Sequence, residues 1–305
     1  MKTDGAGQSR SFLDTSVVAR LSAIPLMARR SMLGGVSGRH TSPHRGSSVE
    51  FAEYRKYVPG DDLRRLDWRA FGRSDRYYVK EFEADTNLRC ILVLDTSGSM
   101  EFGSVGKTKL EYARSLAATL GYLAIAQGDA VGMACVADKI IRDIPARRNP
   151  SHLSNLFDQM ESVRANGPTR LPEILHELAE TVRQRAMILV FSDLFMEPST
   201  LRSCFEHLRF RKHDVGIFHL LDPEELKFQF QRPTRFIDME GGPAIFVEPT
   251  EIADRYQRAL SDYLAQLQQV VLETSTDYHR VSIDQAYEAV LTNFLTGRLH
   301  GRSRR

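Results

Sequence analysis

Residues 90–100 read CILVLDTSGSM. Cys90 to Asp95 is a continuous apolar run of strand length that ends in a carboxylate, and small hydroxyl residues and a glycine follow at once. A short apolar run closed by turn residues fits a strand buried on both faces. Downstream, Lys109 to Gln127 sets Leu110, Ala113, Ala117, Leu120 and Ala124 on one helical face before Gly128 ends the pattern. Asp95 is therefore delivered into a turn between a buried strand and a helix.

The alternation continues to the end of the chain. Strands are expected at Ala130 to Val136, at Lys139 to Ile144 as a shorter edge strand, at Ala186 to Phe191 and at Asp214 to Leu221. Helical spacing marks Ser151 to Val163, the stretch from Leu171 to Val182 and Thr200 to Arg211. Buried strands alternating with amphipathic helices imply right-handed crossovers and a mostly parallel sheet with helices on both faces, so the fold class is α/β. Residues 222–273 read as an insertion: a hairpin from Thr234 to Glu248 turning at Gly241 and Gly242, then a long helix through Ile252, Tyr256, Leu260 and Leu267. A strand at Tyr278 to Ile283 and a helix from Asp284 to Arg298 close the pattern.

Ahead of the strand and helix zone, residues 1–48 read as tail, short amphipathic helix and linker, and residues 49–87 as a separate aromatic and charged segment; residues 88–300 make the α/β domain. Val17 to Met27 is the candidate amphipathic helix. It is too short to span a bilayer, which takes about 20 apolar residues, and it is broken by Arg20 and Pro25. The expectation is a cytoplasmic chain without an integral membrane segment. With 305 residues and a formal charge of +2, neither acid nor base predominates, which gives no general case for a nucleic-acid partner. The aromatic segment interleaves Asp61, Asp62, Asp67 and Asp75 with Arg64, Arg65, Arg69 and Arg73, a mixture suited to internal ion pairs rather than to phosphate binding, and Trp68 reads as packing. Cys90, Cys135 and Cys204 lie far apart and include no CxxC pair, which points to buried thiols rather than to disulfides or zinc.

Asp95, Ser97 and Ser99 place one carboxylate and two hydroxyls within five residues, and Gly98 gives the backbone room to turn both serines toward one point. Ligands of open parallel sheets bind at the carboxyl ends of the strands, and Asp193 falls at another such end. Thr169, in the loop NGPTRL at residues 166–171, is the third contributor. These are hard oxygen donors suited to magnesium, which takes few protein ligands and keeps several waters. The competing reading makes them helix caps. A haloacid dehalogenase-type phosphotransferase needs a second carboxylate two residues after its aspartate, where this chain has Ser97. No Gly-x-Ser-x-Gly elbow surrounds Ser192, and His176-Glu177 lacks the second histidine of a zincin, so no catalytic set emerges.

The pattern Asp95-x-Ser97-x-Ser99 with Thr169 and Asp193 resembles the metal-ion-dependent adhesion site (MIDAS) of von Willebrand factor A-type domains. The resemblance implies one magnesium, with manganese or calcium as substitutes, held directly by both serines, by Thr169 directly or through water, and by the two aspartates largely through water. The remaining position would take an acidic oxygen from a partner protein. The segment EFAEYRKYVPGDDLRRLDWRAFGRSDRYYVKEFEAD at residues 50–85, above all Tyr57 to Asp62 and Leu66 to Arg69, is similar to that of the prokaryotic domain-of-unknown-function family number fifty-eight. Such proteins carry an A-type domain behind it and are often encoded beside MoxR-type AAA+ ATPases. The resemblance therefore implies a non-enzymatic, metal-dependent adaptor or co-chaperone for such an ATPase or its client. The alternatives are a metal-dependent phosphoesterase using Asp95 and a scaffold with a vestigial metal site.

Overall fold

The structure is a computed structural model that describes residues 10–28, 50–56, 72, 77–83 and 88–303. The sequence-predicted linker at 31–48 and the motifs between Tyr57 and Arg69, with Trp68, lie outside these residues. The chain divides into two compact units, one built from residues 1–27 and 89–305, the other from residues 28–88. In the second unit, strands β1 (Glu50–Lys56) and β2 (Tyr78–Glu83) pair antiparallel with an irregularity between Phe51 and Glu53.

The larger unit begins with helix α1 (Thr15–Leu21), capped by the Asp14 carboxylate, which accepts from the Ser16 and Val17 amides at 2.8 and 3.4 Å. The expected helix over 17–27 is thus corrected: it starts earlier and stops at Leu21. Pro25 disfavours helical backbone in the residue before it. The chain beyond is held instead by the Leu26 amide donating to the Gln127 side chain at 2.9 Å.

Then follow β3 (Arg89–Asp95), a single 3-10 turn (Gly98–Glu101), α2 (Lys109–Ala126), β4 (Ala130–Val136), β5 (Ile140–Arg147), α3 (Pro150–Ser162), α4 (Leu171–Thr181), β6 (Met187–Ser192), α5 (Pro198–Phe210), β7 (Asp214–Leu221), α6 (Pro223–Lys227), β8 (Thr234–Phe236), β9 (Ile245–Val247), α7 (Pro249–Glu273), β10 (Asp277–Ser282) and α8 (Tyr287–Ser303). Helix α2 begins at a reciprocal capping box in which Thr108 and Glu111 each satisfy the other's backbone amide.

Six strands form one sheet in the order β10-β7-β6-β3-β4-β5. All neighbours run parallel except β4 and β5. From β3 the chain moves outward through β4 to β5, then returns to place β6, β7 and β10 on the other side of β3. Strand order therefore reverses between β3 and β6, and the crevice of such a sheet opens at their carboxyl ends.

The expected short edge strand over 139–144 is instead eight residues long. Antiparallel pairing with β4 carries it past Pro145, and the register shifts between Val131 and Met133, where Gly132 must lack a side chain because a Cβ there would lie 2.7 Å from the Ile144 carbonyl oxygen. An edge strand tolerates a proline at such an irregularity because no ladder bond is lost there.

Helices α4, α5 and α7 cover one face, packing Leu171, Ile174, Leu175, Phe205, Leu208, Leu267 and Val271 against Ile91, Val93, Ile188 and Val190. On the other face α2 packs on β3, with α1 and α8 beside it. Phe191 and Phe218 stack at 4.9 Å between ring centroids, and Phe294 of α8 lies 5.0 Å from Phe218. Far from the carboxyl ends of the strands, buried Arg298 pairs with Asp214 and Asp277, each at 3.0 Å, and donates to the Met27 carbonyl at 3.1 Å. The three cysteines are free and buried, as their spacing suggests.

Candidate functional site

Strand β3 is buried along its length, so its last residue, Asp95, reaches the crevice with no exposed surface of its own. One carboxylate oxygen accepts from the Ser97 amide at 2.9 Å and the other from the Ser192 hydroxyl at 2.6 Å. Both donors are neutral. Burial, together with the charge of nearby Asp193, pushes the Asp95 carboxyl up to about 6 against those hydrogen bonds.

The turn after β3 is fixed by its neighbours. Thr96 donates to the Val136 carbonyl through its amide (2.7 Å) and its hydroxyl (2.9 Å), which ties the turn to the end of β4. Ser97 then leads into the 3-10 turn, and its Oγ lies 3.2 Å from Ser99 Oγ. The loop before α4 is laid alongside: Asn166 donates to the Thr96 carbonyl at 2.9 Å, and Gly98 donates to the Gly167 carbonyl at 2.8 Å. Thr169, half-buried in that loop, accepts at Oγ1 from the Leu171 amide at 3.3 Å. Thr169 lies one position ahead of the N-cap of α4, Arg170, which has no side-chain capping bond.

Asp193 follows β6 and is 2% exposed. Leu194 next to it takes a left-handed backbone (φ 53°) while fully buried, a strained arrangement for a branched residue. Three groups hold it there: the Ser192 hydroxyl accepts the Leu194 amide at 3.0 Å, the Tyr263 hydroxyl donates to the Leu194 carbonyl, and the Leu194 side chain fills the core.

Several residues at this crevice were not singled out from the sequence. Lys109, the first residue of α2, is wholly buried, with Nζ 2.7 Å from Asp193 and 2.6 Å from Glu225. Burial works against its charge, yet the two carboxylates outweigh burial and hold its pKa above the ordinary lysine value. Glu225 is itself pushed up by burial, with Lys109 pulling the other way. The remaining newcomer is Glu240, whose Oε2 accepts from the Thr169 amide at 3.0 Å. One cue for Lys109 was present: a lysine in the first turn of a helix opposes the helix dipole and calls for acidic company. Nothing local marks Glu240, because its partner lies 71 residues away.

The crevice thus assembles Asp95, Ser97 and Ser99 on one turn, the Thr169 loop bonded to that turn, and Asp193 one residue beyond the serine that holds Asp95. It offers oxygen donors of two carboxylates and several hydroxyls. Among the described residues no group of three or more His, Cys, Asp or Glu side chains could hold a metal ion. Any ion here would rest on hydroxyls as much as on carboxylates.

The fold is a mostly parallel six-stranded α/β sheet with helices on both faces, its strand order reversing between β3 and β6. The family described as "Protein of unknown function DUF58" matches residues 53–265, and the chain belongs to that family. Uncharacterized protein Rv1480 of Mycobacterium tuberculosis is 25% identical over 293 residues, covering 94% of this chain and 92% of that protein. Uncharacterized protein YeaD of Bacillus subtilis is 25% identical over 163 residues, 52% of this chain and 38% of that protein. Among solved structures, the conserved hypothetical protein BatB from Bacteroides thetaiotaomicron superposes with a TM-score of 0.48 at 16% identity, covering 70% of this chain and all of that one. The SpRpn10 VWA domain does so with a TM-score of 0.42 at 11% identity, covering 68% of this chain and 95% of that one. Among the described residues no helix is long and apolar enough to cross a membrane.

Proposed function

We propose that the chain is a non-enzymatic docking module that uses a magnesium ion, held by Ser97, Ser99, Thr169, Asp95 and Asp193, to capture an acidic group of a partner protein. The observation that carries the reading is the 3.2 Å separation of Ser97 Oγ and Ser99 Oγ at the sheet reversal. Adjacent corners of a magnesium octahedron with bonds of about 2.1 Å lie roughly 3 Å apart. The electrostatics support the same group. Asp95 is buried beside a second carboxylate and receives only neutral hydrogen bonds, while Lys109 is engaged by Asp193 and Glu225. Burial first, and then the charge of Asp193, raises the Asp95 carboxyl, and a divalent cation would favour its ionised form against both.

When bound, magnesium supplies a Lewis-acidic position for a carboxylate oxygen. The chain's own residues do the rest. Ser192 and the Ser97 amide orient Asp95, the Thr96 contacts to β4 fix the turn, and Lys109 holds the Asp193 side chain in place through their 2.7 Å ion pair. The partner suggested by the resemblance is a MoxR-type AAA+ ATPase or a client that it remodels, in the cytoplasm, and the chain would act as adaptor or co-chaperone.

The test couples metal binding with capture. Titration calorimetry should detect magnesium binding to the wild type and at least a roughly tenfold weaker affinity for Asp95→Ala, with the far-ultraviolet spectrum unchanged. The same substitution, and chelation by EDTA, should abolish co-purification of a MoxR-type AAA+ ATPase with this chain. Capture that survives both treatments refutes metal-dependent docking.

A further inference from the structure

The hairpin of β8 and β9 turns Phe236 inward, against Phe228 and Phe230 at 5.7 and 5.1 Å between ring centroids, but beyond Phe236 it is inside out. Between Ile237 and Phe246 its apolar side chains face solvent, with Phe246 73% exposed, Ile237 65% and Ile245 54%, while Glu240 is half-buried. A surface hairpin governed by the hydrophobic effect would turn its apolar residues inward and its carboxylate out. Some interaction must therefore draw Glu240 in.

Its surroundings identify that interaction. The tip is built to aim this one side chain: the Asp238 carboxylate accepts the Glu240 amide at 2.8 Å, Gly241 takes a φ of 99°, and a Cβ on Gly242 would lie 2.1 Å from the Asp238 carboxylate. The Glu240 carboxylate then accepts the Thr169 amide at 3.0 Å, within the loop whose Gly167 carbonyl is bonded to Gly98. Close approach is made possible from the other side as well. A Cβ on Gly98 would fall 2.0 Å from the Met239 carbonyl oxygen, so the Asp95-Thr96-Ser97-Gly98-Ser99 turn can carry no side chain at the point where the hairpin tip rests on it.

We infer that Glu240 is the site's internal ligand: the hairpin tip delivers a carboxylate of the chain itself to the position that a partner's acidic group takes, so that a partner must displace the hairpin to dock. The inference rests on the metal-dependent docking reading of the same residues. It assigns the crevice a self-occupied state, held by Glu240, the Thr169 amide and the bare Gly98, and an open state in which residues 234–247 swing away. A partner's carboxylate competes with a tethered one at high effective concentration. Docking is then selective for partners that also gain contacts elsewhere.

The experiment uses the full chain, magnesium as the probe, and the variants Glu240→Gln and Asp95→Ala. Glu240→Gln keeps the size of the side chain and removes its charge. Two quantities are read: magnesium affinity by calorimetry, and amide hydrogen exchange over residues 234–247 with and without the metal. In the wild type, magnesium should slow exchange across the hairpin tip by about tenfold or more. In Glu240→Gln the metal should still bind, about tenfold more weakly, and leave hairpin exchange unchanged. Equal affinity in wild type and Glu240→Gln, with no protection of the hairpin in either, overturns the internal ligand while leaving the metal site standing. Absence of magnesium binding to the wild type, matching Asp95→Ala, overturns the metal site and with it this inference.

Discussion

Lys109 is one buried charged group that two carboxylates share. Its ammonium lies within 2.7 Å of Asp193 and 2.6 Å of Glu225 and is flanked by the rings of Phe102 and Phe195 at 5.8 and 5.1 Å. Lys109→Met would keep the packing of the stem and leave two buried carboxylates uncompensated, and removing one partner of a buried ion pair typically costs about 3–5 kcal/mol. Urea unfolding should show a loss of that order near neutral pH, and much of it should be recovered by adding Glu225→Gln. A loss below about 1 kcal/mol would mean that water already reaches the pair. At this scale the sequence was legible only where ligands sit close together in the chain. Asp95, Ser97 and Ser99 share one turn, so their common direction could be read from spacing. Lys109 and Glu240 act through partners 84 and 71 residues away, and a string of residues does not carry those distances.

Among elements, the strands buried on both faces were the most legible, since β3, β4, β6 and β7 have apolar runs whose ends coincide with the change to polar residues. Three elements were misjudged at their ends, among them α8, which starts at Tyr287 and runs to Ser303 rather than from Asp284 to Arg298. Helix α1 was placed too far along because Leu21 to Met27 is apolar enough to continue a helix that Pro25 does not permit, and β5 was cut short because Pro145 looks like a stop. In both cases the position of the proline decides: it lies just beyond the last turn in one and at an irregularity of an edge strand in the other. The β8 and β9 hairpin was foreseen with its turn at Gly241 and Gly242, but its orientation over the crevice was not. Gly98 allows an element-scale test. Gly98→Ala would force the Met239 carbonyl away from a Cβ that would otherwise stand 2.0 Å from it. The hairpin tip should lift, hydrogen exchange at residues 238–242 should accelerate, and the unfolding midpoint should drop by an amount equivalent to about 1–3 kcal/mol. Unchanged exchange there would show that the turn yields instead of the hairpin.

For the whole molecule, the response to acid follows from buried groups of opposite sense. His219 is fully buried, its Nδ1 2.7 Å from the Tyr278 hydroxyl, and burial drives its pKa down to about 4; burial does the same to His213, whose Nδ1 accepts the Ala186 amide at 3.2 Å. A histidine depressed by folding contributes stability that is present above its unfolded value of 6.5 and is lost as pH falls toward about 4. Full protonation of His219 would cost on the order of 3 kcal/mol. Asp95 acts in the other direction, because a carboxyl raised to about 6 stabilises the fold below the ordinary carboxylate range and loses that contribution as pH rises through 6. Glu225, likewise raised by burial, acts in the same sense as Asp95, and the two histidines act against both. Without metal, the urea midpoint should fall between pH 6.5 and pH 4, and His219→Gln should flatten that fall. A midpoint constant over this interval would mean that the histidines become solvated without unfolding.

The outer strand β5 sets a limit on how the molecule can assemble. Its free side presents Arg142, Asp143, Pro145 and Arg147, all exposed, with the register already broken opposite Gly132. A proline has no amide hydrogen to offer, and alternating charges disfavour a strand from another chain laid alongside. Growth of the sheet into a continuous two-chain ribbon is blocked on this flank, which discourages the aggregation to which flat, unpaired borders are prone.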